Sequence, residues 1–229
     1  LAGKLRTGAN TYGDGSSYAD DSGHGTAVAG IIGAQSDNSD GVASVAGGCP
    51  ILPIRVTGPD GKANSWSIAA GIALAVNRGA KVINISFAPL YDNEVVLRQA
   101  RVAWISGCLT VISADNSGKR VDAGGSDEVL FIGATDQSDE LASFSTSGDF
   151  VDLVAPGVSM YTTKLGGAYG AYSGTSFAAP VASGVAALVW SMNPDLRPAT
   201  VRDILLATGR DLGQPGWDET FAFGCVDAA

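Results

Sequence analysis

Residues 172–190 constrain this chain more than any other stretch. Tyr172-Ser173-Gly174-Thr175-Ser176 is small and hydroxyl-rich, and from Phe177 to Trp190 the run is apolar on nearly every face. A helix that is hydrophobic all round belongs in a protein interior. The stretch therefore reads as a buried helix with Ser176 at its N-terminal tip. That tip carries unpaired backbone N–H groups and the positive end of the helix dipole. Ser176 can serve there as a cap, or as a nucleophile placed where developing negative charge is stabilised. Pro180 fits near the start of such a helix, but it has no N–H, so the carbonyl of residue 176 loses its usual partner.

A buried helix of this length needs a substantial core around it. The 229 residues, 45% hydrophobic and 16% charged, suffice for one large α/β domain. A net charge of −9 argues against nucleic acid or an anionic membrane as a partner. No apolar run is expected to span a membrane. The chain begins at Leu1 rather than Met, which leaves room for a removed leader. Cys49, Cys108 and Cys225 lack zinc-site spacing and read as small buried hydrophobes.

Taken in order, residues 1–23 read as polar loop. Helices are predicted near 24–32, 65–78 (N-capped by Ser65), 93–106 and 198–208. Strands are predicted at 50–56, 81–86, 108–114, 129–134 and 150–154, with a hairpin of 158–163 and 168–173 about Gly166-Gly167. This alternation implies a mainly parallel sheet with helices on both faces.

His24 is the chain's one histidine, set between two glycines in Gly23-His24-Gly25-Thr26. A Ser–His site could use no other base. Asn116 follows the strand at 108–114, at the carboxyl end where open α/β sheets place ligands. Its amide can donate to an oxyanion or simply serve a turn.

Taken together, Gly23-His24-Gly25-Thr26, Ala114-Asp115-Asn116-Ser117-Gly118 and Gly174-Thr175-Ser176-Phe177-Ala178-Ala179-Pro180 resemble the subtilisin-like serine proteases, the subtilases, along almost the whole chain. The resemblance implies a three-layer α/β fold over 1–229. It also implies Ser176 as nucleophile, His24 as general base and acid, and Asn116 with the Ser176 N–H as the oxyanion donors. Ser86, Phe87 and Ala88 would wall the specificity pocket, with the opposite side near 121–125. Gly61 and Ala63 would line the peptide as part of an edge strand at 61–64. Asp115 stands where the family usually has glycine; Asp115 and Asp122 read first as solvated turn carboxylates, and alternatively as charges that favour a basic residue before the scissile bond. Ala27 replaces a histidine common in the family.

The family's catalytic aspartate lies in an Asp-(Thr/Ser)-Gly turn after a buried strand, about thirty residues before the histidine. Only 23 residues precede His24, and Asp21-Ser22-Gly23 has no apolar strand before it. The aspartate is expected on a separate N-terminal chain. The alternatives are that the chain is a fragment, or that it has lost catalysis and serves as a peptide-binding or scaffolding subunit. The loop with Ser36, Asn38, Asp40 and Val42 resembles the family's calcium loop, which implies a structural calcium there; the alternative is an ordinary polar loop. The expected activity is a secreted serine endopeptidase acting on peptides or proteins, with peptide cyclisation or transfer as a related outcome.

Overall fold

The structure, a computed structural model, describes residues 1 and 3–228, so Ala2 and Ala229 of the expected 1–229 domain lie outside the described residues. Among the described residues, eight strands and five α-helices follow in the order β1 (Ala9–Asn10), α1 (His24–Gly33), β2 (Ile54–Arg55), α2 (Ser65–Asn77), β3 (Val82–Ile85), α3 (Glu94–Ile105), β4 (Leu109–Ser113), β5 (Val129–Thr135), β6 (Leu153–Pro156), β7 (Met160–Lys164), β8 (Ala168–Tyr172), α4 (Thr175–Met192) and α5 (Pro198–Thr208).

Strands β3, β4, β5 and β6 lie side by side in that order, all parallel. Alternate side chains of the central strands point to opposite faces. Ile112 and Phe131 face α2 and α3, where they meet Ile68, Ile72, Val96 and Ala100. Leu109, Val111, Leu130 and Ile132 face α4 and α5, against Ala178, Ala182, Val185 and Leu205. Both faces are thus covered, as the run of buried residues along β4 and β5 requires. The expected α/β architecture is the one observed.

Helix α4 has the length and mean hydropathy, 1.3 over 18 residues, of a membrane-crossing helix, contrary to the expectation that no run was long enough. Most of it is buried against the sheet and α1. Helix α1 packs on α4 through Ala27, Val28 and Ile31 against Phe177. It also rests on β7 so closely that a Cβ at Gly30 would overlap the hydroxyls of Thr162 and Thr163.

Several boundaries differ from the sequence expectation. Residues 1–23 are not all loop: β1 pairs in parallel with β2, and Leu5 bridges Ile51. The strand expected at 50–56 is regular only at β2, because that short N-terminal segment is its partner. The cap of α2 is Asn64 rather than Ser65: its side chain accepts the Ser67 N–H and its own N–H is bonded by Ser67 Oγ. β6 begins after residue 152, since Phe150 and Val151 pack under α2 and α3 while Asp152 Oδ2 takes the Phe131 N–H at 2.8 Å. Pro180 lies inside α4, past its first turn. The hairpin of β7 and β8 turns at Gly166 and Gly167, both at positive φ (78° and 75°), as the two glycines predict.

Candidate active site

The N-terminus of α4 is set by Gly174, whose φ of 148° and ψ of 157° belong to a region that side-chain-bearing residues avoid. Thr175 donates its N–H (2.8 Å) and its hydroxyl (3.1 Å) to Asn116 Oδ1. With the carboxamide oxygen so committed, the Asn116 amino group is the end that faces away from Thr175. Asn116 is held just past β4 by Asp115, whose carbonyl takes the Thr146 N–H at 3.0 Å and whose carboxylate takes the Thr146 hydroxyl at 3.3 Å. Asp115 itself has a φ of 124°, a strained conformation at the position where the resemblance leads one to expect glycine. Ser176 follows Thr175, with its N–H among the first-turn donors that a helix leaves without an internal partner. Its hydroxyl makes a long contact of 3.4 Å to the Ser86 carbonyl just beyond β3.

His24 opens α1 after Gly23, which turns the chain with φ 87°. Its imidazole packs edge-on against Phe177, with centroids 5.5 Å apart, and against Phe87 at 6.4 Å. The ring therefore borders both the residue after Ser176 and the expected pocket wall. Burial holds the His24 pKa below its ordinary value, and the negative charge of Asp20 partly opposes this. Asp20 is a feature that reading the sequence missed. Its Oδ2 accepts the N–H (2.6 Å) and hydroxyl (2.7 Å) of Thr26, and its Oδ1 accepts the Gly23 N–H at 2.9 Å. Burial raises the Asp20 pKa, but the bonds from Thr26, Gly23 and Ser22 outweigh it and the net shift is downward. Asp21, by contrast, turns to Arg55 at 2.6 Å.

The three elements that carry Ser176, His24 and Asn116 thus meet at the carboxyl ends of β3 and β4. Ser86, Phe87 and Ala88 continue from β3 into the same region, all half-buried. Residues 61–64 do not form a regular strand: Gly61 turns the chain at φ 74°, and Ala63 makes a single antiparallel bridge to Thr57. Asp122 is paired with Arg120 at 3.0 Å, whereas Asp115 forms no ion pair among the described residues.

Ala27 is fully buried under β7, with its carbonyl bonded by Thr162 Oγ1 at 2.9 Å. In the loop of Ser36, Asn38, Asp40 and Val42, Asn38 Oδ1 is already bonded to the Asp40 N–H at 3.1 Å. Among the described residues, no group of three or more His, Cys, Asp or Glu gathers to hold a metal. With Asn38 Oδ1 engaged by the Asp40 N–H, the side chains of this loop do not by themselves complete a calcium cage.

The chain is similar to known proteases. A thermophilic serine proteinase of Bacillus sp. strain AK1 is 38% identical over 77% of this chain, which spans 45% of that protein's length. Subtilisin DY of Bacillus licheniformis is 36% identical over 90% of this chain and 77% of its own. The solved structure of the prenylagaramide maturation protease PagA superposes with a TM-score of 0.80 at 30% identity, covering 90% of this chain and 80% of that one. The chain thus spans less than two thirds of some of the relatives it matches. Residues 3–224 match the subtilase family, peptidase family S8, and with these relatives the match shows that the chain belongs to the subtilases.

Proposed function

We propose that residues 1–229 carry the nucleophile, base and oxyanion donors of a serine endopeptidase that cleaves peptides or proteins. The observation that carries this reading is the bond from Thr175 N–H to Asn116 Oδ1, which places the Asn116 amide beside the tip of α4 and Ser176. In the reaction, Ser176 Oγ leaves the Ser86 carbonyl and attacks the substrate carbonyl carbon while His24 takes its proton. The resulting oxyanion is stabilised by the Asn116 amino group and the Ser176 N–H at the positive end of α4. His24 returns the proton to the leaving amine, an acyl-enzyme on Ser176 remains, and water activated by His24 releases the acid. The depressed pKa of His24 keeps the ring neutral, and so able to act as a base, down to lower pH than an ordinary histidine.

The aspartate that orients His24 comes from outside residues 1–229, on a separate N-terminal chain or an adjoining segment. Asp20 supplies charge but not orientation, because its oxygens are taken by Thr26, Gly23 and Ser22. Ser86, Phe87 and Ala88 wall the pocket for the side chain before the scissile bond. A calcium ion at residues 36–42 would need oxygen ligands from beyond this loop. The family relationship and the acidic composition support a secreted enzyme.

The test is labelling of the native assembly by a fluorophosphonate probe. Modification mapped to Ser176 is expected. An unlabelled Ser176, under conditions where a known serine protease reacts, would overturn the enzyme reading in favour of a peptide-binding subunit.

A further inference from the structure

In an α-helix the carbonyl of residue 176 would accept the N–H of residue 180. Here residue 180 is a proline inside α4, which has no N–H to give. The carbonyl is satisfied by a side chain ninety positions away: the Ser86 hydroxyl donates to Ser176 O at 2.8 Å. Ser86 is held in turn. Asn84 Nδ2 donates to Ser86 Oγ at 3.0 Å, and Ser183 Oγ donates to Asn84 Oδ1 at 3.0 Å. Each hydroxyl has a single proton, and the amide has one donating and one accepting end. The protons therefore all run one way, from Ser183 through Asn84 and Ser86 to the Ser176 carbonyl. Ser183 is only 1% exposed and sits on the same helix as Ser176, so the relay leaves α4, crosses to β3 and returns.

We propose that Asn84 and Ser183, acting through Ser86, are positioning residues that fix the main chain of Ser176, and that Pro180 vacates the carbonyl they hold. The inference rests on Ser176 being the nucleophile. A purely apolar contact between α4 and β3 would hold the helix but not its rotation about its own axis. The relay fixes the carbonyl of Ser176, and through it the direction of the Ser176 side chain and N–H. Displacements of about 1 Å in such groups can cost on the order of 100-fold in rate.

The test measures the rate of Ser176 modification by a fluorophosphonate in the native assembly for wild type, Ser86→Ala, Ser86→Thr, Pro180→Ala and the Ser86→Ala/Pro180→Ala double variant. Ser86→Ala is expected to react about 10-fold more slowly, equivalent to about 1.4 kcal/mol. Ser86→Thr keeps the hydroxyl and is expected to react faster than Ser86→Ala. Pro180→Ala alone changes the rate by no more than about twofold, and in the double variant the new N–H at residue 180 restores the rate to within about threefold of wild type. The pH midpoint of labelling stays unchanged throughout, because His24 is untouched. A wild-type rate for Ser86→Ala, or a double variant no faster than the single one, would overturn the proposal. Should Ser86→Ala fail to fold, Ser183→Ala replaces it, with a loss of about threefold that Pro180→Ala reverses; a loss that Pro180→Ala leaves in place would again overturn the proposal. If wild type itself stays unlabelled, the nucleophile reading falls and this proposal with it. If wild type labels and only the cycle fails, this proposal falls alone.

Discussion

Asn116 has two jobs that can be separated by substitution. Its Oδ1 anchors Thr175 through bonds of 2.8 and 3.1 Å, and its amino group is the proposed oxyanion donor. Asn116→Asp keeps an oxygen at the Thr175 anchor but replaces the donor with a second carboxylate oxygen facing the developing negative charge. Asn116→Leu removes both. Loss of one oxyanion donor costs about 100- to 1,000-fold in kcat, or about 3–4 kcal/mol of barrier. Loss of the anchor leaves the buried Thr175 donors unpaired, a cost of about 1–3 kcal/mol of stability. At roughly 2–4 °C per kcal/mol for a domain of this size, Asn116→Leu is expected to melt several degrees below wild type. Asn116→Asp is expected to melt close to wild type and yet lose at least about 1,000-fold in kcat, because charge repulsion is added to the missing donor. The assay pairs steady-state hydrolysis of a fluorogenic peptide by the native assembly with calorimetric melting. An Asn116→Asp variant retaining more than about a tenth of wild-type kcat would refute the oxyanion role. Equal melting temperatures for Asn116→Leu and wild type would refute the anchoring role.

Two further outcomes follow from charges near the core and the site. Arg202 Nη2 meets Asp152 Oδ1 at 2.7 Å with both side chains largely buried. Burial pushes the Asp152 carboxyl up to about 7, so at alkaline pH, where it is ionised, Asp152→Asn should lower stability by about 3–5 kcal/mol, while the Asp152→Asn/Arg202→Gln double variant, read by urea unfolding, should recover more than half of that loss. The pKa of Asp20 is lower in the fold than in the unfolded chain, so its stabilising contribution is present above about pH 3.8 and is lost as the pH falls below that value. Asp20→Asn should abolish that segment of the pH–stability curve. It should also shift the acid limb of kcat/KM further down, because the charge that favours protonated His24 is gone; a shift upward would contradict this placement of Asp20.

What could be read in advance followed from local chemistry. The all-round apolar character of residues 177–190 marked a core helix, and Gly166-Gly167 marked a hairpin, because both signals lie within a few adjacent residues. The N-terminal pairing of β1 with β2 was hidden because two-residue strands carry no alternation to detect. Their partner segments lie some 45 positions apart. Asp20 was hidden for a related reason. Aspartates 20 and 21 look alike in sequence, yet one carboxylate bonds the start of α1 and the other meets Arg55.

The tip of α4 shows the same boundary most sharply. The missing N–H of Pro180 was legible, and with it the orphaned carbonyl of Ser176. Its replacement was not, because the donor Ser86 is ninety residues away and Asn84 and Ser183 are ninety-nine apart. Sequence exposes an unsatisfied backbone group, and buried groups of that kind are almost always satisfied. An orphaned carbonyl at a candidate nucleophile therefore predicts that some distant polar side chain must hold it, even before the fold reveals which one. In this chain that side chain belongs to the proposed pocket wall, so the proline that breaks the helix ladder also ties the proposed nucleophile to the surface its substrate would touch.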